Sequence, residues 1–137
     1  MAKTILVVDD DPDTRAVLSA LLTGEGFVVH LAREGRHALQ LLSHIDPPDL
    51  ILLDYLMPVM SGSHFLARKR RNPRIRRIPV VLLSAWTRMW SAMHDAVEVL
   101  SKPVDPERLL ALVRRICAGQ GRVSSPARAT DRLPACC

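Results

Sequence analysis

Short aliphatic runs recur along this chain, and they constrain its fold more than any other feature. A run such as ILVV, at positions 5–8, is too short for a helix and suits a strand that is buried on both faces. Segments with helical apolar spacing separate these runs, and this alternation predicts right-handed crossovers in a doubly wound parallel sheet. The five predicted strands are Thr4–Val8, Phe27–Leu31, Leu50–Leu53, Pro79–Leu83 and Val97–Leu100.

Helices are predicted between these strands and after the last of them. Asp11 can cap the first helix and Pro12 fits its first position, while Gly24 and Gly26 end it. The remaining stretch, 119–137, is rich in Gly, Ser, Pro and Arg without periodicity, so we expect one domain over 1–118 and a disordered tail. The later helices are predicted at Arg36–Leu42, Ser63–Arg71, Arg88–Ala96 and Pro106–Ala118.

Composition excludes several classes of protein. No apolar run approaches the roughly 18–20 residues of a membrane span, and the N-terminus lacks the pattern of a signal peptide. The three cysteines, Cys117, Cys136 and Cys137, have neither metal-ligand spacing nor the pattern of a disulfide framework. We therefore expect a cytoplasmic protein without a membrane partner.

Charge is distributed unevenly, although the net value is only +5. Four acids lie within Asp9–Asp13, whereas Arg68–Arg77 holds seven basic residues and no acid. A basic run without interleaved aromatic residues is typical of a solvated face or a protein-docking patch. Nucleic-acid contact through Arg68–Arg77 is therefore an alternative that the sequence does not favour.

Polar side chains follow four of the five predicted strands. Asp9 and Asp10 end the first, Asp54 the third, Ser84 the fourth and Lys102 the fifth. Ligands of open parallel sheets bind beyond the carboxyl ends of the strands, where these side chains should meet. Neighbouring carboxylates repel each other unless a cation lies among them, and Mg²⁺ prefers oxygen ligands. A carboxylate beside Mg²⁺ and a lysine can also attack phosphorus to give an acyl phosphate.

Other acids near this edge fit ordinary structural roles. Asp11 suits a helix cap, and Asp13 a first-turn partner of the helix dipole. Asp46 and Asp49 belong to a DPPD loop, where we expect them only to be solvated.

Four segments together resemble the response-regulator receiver domain, a module of two-component signalling. They are ILVVDDDPDTR, DLILLDYLMPVMSG, VVLLSA and LSKPVD, in the family's order, and the resemblance spans Lys3–Ala118. It implies the flavodoxin-like receiver fold, here of a stand-alone, single-domain type.

The resemblance also implies roles for individual residues. Asp54 would be the phospho-acceptor. Asp10 would bind Mg²⁺ directly, Asp9 would bind it largely through water, and Leu56 would contribute its backbone carbonyl. In the same pattern Ser84 would hydrogen-bond the phosphoryl group.

Lys102 would pair with that phosphoryl group, and the Lys102–Pro103 bond would be cis. The family's activity would then be to accept a phosphoryl group from a histidine kinase or a phosphotransfer protein of a phosphorelay. Signalling would follow through contact with a downstream protein, by a monomer or weak dimer. Such a chain is not a classical enzyme, although it assists its own phosphorylation and slow dephosphorylation.

Two other functions compete with this one. The chain could be a phosphate-independent adaptor that uses only the fold. It could also be a phosphatase of the haloacid-dehalogenase type, but there the nucleophile ends the first strand in a D-x-D pattern. In this chain Asp54 ends the third strand and Leu56 occupies the second Asp position, which excludes that assignment.

Three features depart from the family pattern, and one of them is that Trp86 and Leu56 are bulkier or more apolar than usual. The other two concern the output signal. The usual aromatic switch residue, three positions before the lysine, is Val99. The segment between Ser84 and Lys102 is also short, which predicts a shortened fourth helix. Both departures put the family's usual aromatic-rotation signal in doubt for this chain.

Overall fold

The computed structural model describes residues 2–55, 61–84 and 96–119. Within these ranges, strands and helices alternate as the hydrophobic pattern predicts, except between the last two strands, where most connecting residues lie outside the described ranges. The strands are β1 (Thr4–Val8), β2 (Val28–Ala32), β3 (Leu50–Asp54), β4 (Val80–Ser84) and β5 (Glu98–Ser101). The helices are α1 (Pro12–Gly24), α2 (Gly35–Leu42), α3 (Gly62–Arg70) and α4 (Pro106–Gly119).

All five strands form one parallel sheet in the order β2-β1-β3-β4-β5. The order reverses direction between β1 and β3, so connections run outward on both sides of this pair. Such a reversal leaves a crevice beyond the carboxyl ends of the two strands. The predicted doubly wound parallel sheet is therefore confirmed, and β1 and β3 are the strands that carry the predicted carboxylates.

Alternate strand residues pack on opposite faces of the sheet, as the pleat of a strand requires. On one face, Ile5 and Val7 pack with apolar residues of α1 and α4. On the other, Leu6 and Val8 pack with those of α2 and α3. Strands β1 and β3 are thus buried against apolar residues on both faces, which explains why the sequence of each is a continuous aliphatic run.

Local signals explain where the helices begin. The side chain of Asp11 accepts the N–H of Asp13 at the start of α1, and Pro12 occupies the first turn. Helix α3 begins at Gly62, one residue earlier than predicted, because the hydroxyl of Ser61 accepts the N–H of His64. The predicted N-cap of α1 is therefore confirmed, and the helix ends at Gly24 with Glu25 in the C-cap position.

The predicted shortened helix at Arg88–Ala96 lies outside the described residues, apart from Ala96, which is not helical. No helix in the described part of the chain has the length and apolarity to cross a membrane. Cys117 is buried as a free thiol in α4, whereas Cys136 and Cys137 lie outside the described ranges.

Candidate functional site

The carboxyl end of β1 carries two acids with different surroundings. Asp9 is fully buried, and its Oδ1 accepts the backbone N–H of Asp11 at 2.9 Å. Arg15, in the first turns of α1, donates from Nη1 to the Asp9 carbonyl oxygen at 2.6 Å. Asp10 is exposed. The turn between β1 and α1 thus fixes the backbone of Asp9 and leaves Asp10 open to solvent.

Asp54 is the last residue of β3 and is almost completely buried, with an exposed fraction of 5%. The chain continues through Tyr55, whose N–H donates to the Leu83 carbonyl and whose carbonyl accepts the N–H of Gly62. A Cβ at Gly62 would lie 2.9 Å from the Tyr55 backbone. Only glycine permits this approach, so Gly62 allows the start of α3 to pack closely against Tyr55 without adding a functional group.

Lys102 joins the two buried carboxylates. Its Nζ lies 3.2 Å from Asp54 Oδ1 and 3.3 Å from Asp9 Oδ2. Its backbone N–H donates to the Ser84 carbonyl at 3.0 Å, and the Lys102–Pro103 peptide bond is cis, as the family resemblance implied. The loop after β5 therefore brings the ammonium group to the same edge as Asp9 and Asp54.

Three acids meet closely enough to bind one cation. One carboxylate oxygen from each of Asp9, Asp10 and Asp54 lies within 4.8 Å of the others. Mg²⁺ takes oxygen ligands at about 2.0–2.1 Å in an octahedron, so opposite ligands lie about 4 Å apart. A small contraction of the cluster would satisfy this geometry. The donor set fits Mg²⁺, with room for water at the exposed Asp10.

Burial and charge shift the pKa values of two groups in this cluster. Burial, and then the charge of Asp9, raise the pKa of Asp54 to about 6, although Lys102 acts in the opposite direction. Burial lowers the pKa of Lys102, but the carboxylates of Asp54 and Asp9 outweigh this effect and raise it. The ammonium group therefore remains charged, while the Asp54 carboxylate is ionised at a cost that a bound cation would reduce.

Ser84 is the buried last residue of β4, and in the sheet it lies opposite Ser101 of β5. Its carbonyl accepts from Lys102, which places the serine next to the lysine at this edge. The predicted ligand Leu56 lies outside the described residues. Four of the five strands thus deliver the predicted side chains to one edge.

Sequence reasoning assigned no role to Arg15 and misjudged Asp49. Arg15 was visible as a basic residue one turn into α1, where its side chain can reach back to the end of β1. Asp49, expected only to be solvated, is half-buried, and its Oδ2 accepts the Thr4 N–H at 2.8 Å. It therefore stabilises the start of β1, a contact between residues distant in sequence.

Comparison with known proteins agrees with this arrangement. The family model described as response regulator receiver domain matches residues 5–114. A curated 14.6 kDa protein of Leptolyngbya boryana, itself uncharacterized, is 39% identical over 117 residues, covering 82% of this chain and 88% of its own length. PleD, a response regulator of Caulobacter vibrioides, is 38% identical over 85% of this chain, which spans only 26% of that longer protein.

Solved structures show the same likeness. A signal receiver domain of a histidine kinase from Syntrophus aciditrophicus superimposes with a TM-score of 0.81 at 32% identity, covering 94% of this chain and 100% of its own. The response regulator TrrA of Thermotoga maritima, solved in complex with Mg²⁺-BeF, has a TM-score of 0.74 at 31% identity, covering 83% and 98%.

The doubly wound sheet, with acids at the carboxyl ends of its strands, defines an α/β domain of the flavodoxin-like type. This chain belongs to the response regulator receiver domain family.

Proposed function

We propose that this chain accepts a phosphoryl group on Asp54 from a phosphohistidine of a histidine kinase or phosphotransfer protein. It then signals by contact with a downstream protein. The observation that carries the proposal is the position of the Lys102 ammonium between the carboxylates of Asp54 and Asp9. The Asp54 carboxylate and the Lys102 ammonium group therefore lie close enough to contact the same phosphoryl group. Membership of the receiver family supports the same function.

In the proposed reaction an Asp54 carboxylate oxygen attacks phosphorus in line with the P–N bond of the phosphohistidine. The new O–P bond forms as the P–N bond breaks, and the imidazole nitrogen leaves with the electron pair and takes a proton from solvent. Lys102 is placed to donate hydrogen bonds to the phosphoryl oxygens as their charge develops, and Ser84 would donate from its hydroxyl. Stabilisation of those oxygens is the main catalytic contribution available in phosphoryl transfer.

The residues that would hold Mg²⁺ are Asp9, Asp10 and Asp54, together with the backbone carbonyl of Leu56. When bound, the metal would neutralise phosphoryl oxygens and relieve the repulsion among the acids. The Asp11 N–H and the Arg15 guanidinium group both donate to Asp9, so hydrogen bonds within the protein hold this residue in position. Asp10 is free to adjust because it is exposed.

A small phosphodonor tests this function directly. The full chain should gain the mass of one phosphoryl group when incubated with acetyl phosphate and Mg²⁺, and peptide mapping should locate it on Asp54. EDTA should prevent the gain. A folded chain that is never labelled under these conditions would favour the alternative of a phosphate-independent adaptor.

We also propose that residues 1–118 form the receiver unit in a cytoplasmic monomer or weak dimer, and that 119–137 form a tail without a core role. Helix α4 supports this boundary, because its last buried residue is Cys117. Deleting 120–137 should leave the thermal midpoint almost unchanged in a melting experiment. A large decrease would mean that the tail packs on the domain.

A further inference from the structure

The run Arg68–Arg77, which we call the basic segment, accounts for all of the chain's excess positive charge. It contains seven basic residues and no acid, whereas the other 127 residues contain twelve basic and fourteen acidic ones. Such a concentration creates a local positive potential that the chain's net charge of +5 understates.

Lys69 and Arg74 of this segment are engaged within the fold. Lys69 is buried, with 4% exposed, and its Nζ donates to the Arg76 carbonyl at 2.9 Å. Arg74 donates to the carbonyls of Leu42, the last residue of α2, and of Ile45 in the loop that follows. These contacts anchor the backbone of the segment to the rest of the fold, and this backbone carries the remaining basic side chains.

The other five, Arg68, Arg70, Arg71, Arg76 and Arg77, are exposed. Among the described residues, no carboxylate forms an ion pair with Arg68, Arg71, Arg76 or Arg77. Their guanidinium groups therefore remain available to a partner. We call these four side chains the arginine surface.

This surface lies near the amino ends of the strands, at the opposite end of the sheet from Asp54. The basic segment leads into β4 through Pro79, whose carbonyl accepts the N–H of Ile51 near the start of β3. A five-residue strand spans about 15 Å, so the length of β3 separates the surface from the acidic edge. The inference is thus independent of phosphorylation.

The chemistry of the surface distinguishes between possible partners. Every large apolar side chain of α3 and the basic segment points inward, since Phe65, Leu66 and Ile75 are buried. Hot spots of protein interfaces combine arginine with aromatic anchors in well-packed pockets, and single-stranded nucleic acids bind by aromatic stacking. The described part of this surface offers neither. It offers guanidinium forks, which bind phosphate oxygens in pairs.

We propose that the arginine surface binds the sugar-phosphate backbone of double-stranded nucleic acid without reading its sequence. The sequence pattern alone did not favour this alternative, but backbone contact with a duplex is electrostatic and needs no aromatic residues. Each arginine that neutralises a phosphate releases a counterion, which gives such binding a steep dependence on salt. Affinity in the range of about 10⁻⁴–10⁻⁶ M at physiological salt is typical of sequence-independent contacts.

The test is fluorescence anisotropy of a labelled mixed-sequence DNA duplex titrated with the full chain in EDTA over a range of salt concentrations. Four phosphate contacts predict a slope of log K against log salt of about −3 to −4. The double variants R68Q/R71Q and R76Q/R77Q should each reduce the slope by about 2 and weaken binding.

The matched control is R33Q/R36Q, which removes the same charge from exposed positions at the carboxyl edge of the sheet. It should leave the slope unchanged. The proposal is overturned by absence of binding, by equal losses in control and surface variants, or by preference for one duplex sequence. Binding to phosphatidylserine vesicles but not to duplex would also overturn it. Circular dichroism melting establishes that each variant is folded.

Discussion

The two most highly charged regions of this molecule differ in burial, and this difference decides what each can do. At the carboxyl ends of the strands, oxygens of Asp9, Asp10 and Asp54 lie within 4.8 Å of one another, and two of the three residues are buried. At the amino ends of the strands, the arginines of the basic segment face water. Buried like charges raise the free energy of the fold until a cation relieves them, whereas exposed charges cost little and remain open to a large partner.

One lysine in each region shows the same contrast. Lys69 donates to a backbone carbonyl and thereby anchors the segment that carries the arginines. Lys102 contacts two carboxylates and remains partly exposed, so it can meet an incoming phosphoryl group. One lysine stabilises a surface, and the other supplies charge to a reaction.

The largest expected effect is on phosphorylation itself. Asp54→Asn should abolish acyl-phosphate formation, because the amide cannot act as the nucleophile. The measurement is mass spectrometry after incubation with acetyl phosphate and Mg²⁺. Asp13→Asn, which changes an acid in the first turn of α1, is the control and should be labelled like the wild type. Labelling of another aspartate in the Asp54 variant would contradict the assignment.

The next largest effect concerns stability without metal. The folded chain holds a proton on Asp54 up to about pH 6, while the unfolded chain releases it near the ordinary carboxyl pKa of 3.8. Stability should therefore fall by about 2–3 kcal/mol as the pH rises through this window. Urea unfolding in EDTA measures this change.

The comparison variant is again Asp54→Asn, which lacks the titrating group. At pH 7 it should be more stable than the wild type, and near pH 4 the difference should disappear. Saturating Mg²⁺ should stabilise the wild type and narrow the gap at pH 7. If the difference in free energy of unfolding between wild type and variant were the same at both pH values, the ionised Asp54 carboxylate would not destabilise the fold.

Metal affinity tests which acids form the cluster. Asp10→Ala should weaken Mg²⁺ binding by about tenfold or more, equivalent to about 1.4 kcal/mol, because it removes one of three converging carboxylates. Asp13→Ala should change the affinity far less. Calorimetric titration compares the two, and equal losses would mean that the metal binds elsewhere.

The smallest effect separates anchoring arginines from those of the arginine surface. Arg74→Gln should lower the free energy of unfolding by about 1–2 kcal/mol, since it loses contacts with the Leu42 and Ile45 carbonyls. Arg77→Gln should stay within about 0.5 kcal/mol of the wild type. Denaturant unfolding measures both, and a similar loss in each would show that the surface arginines also support the fold.

Much of the fold and candidate site could be predicted from local pattern. The aliphatic run before Asp9 and the cap at Asp11 agree with the structure. The cis bond at Lys102–Pro103 agrees as well, but it followed from the family resemblance and not from local pattern. Asp49 could not be assigned this way, because its partner Thr4 is 45 residues distant in sequence. The proposed roles of Ser84 and Leu56, and the consequences of Val99, stay predictions.

The sequence by itself determined the alternation of strands and helices, and with it the edge at which the acids gather. Hydrophobic periodicity is a local property, and parallel strands place their carboxyl ends together whatever their order. Only the tertiary structure decided that Lys102 lies between Asp54 and Asp9, and that Lys69 and Arg74 anchor the basic segment while its neighbours face water. Burial and distance depend on the packing of residues far apart in the chain, which no single segment encodes.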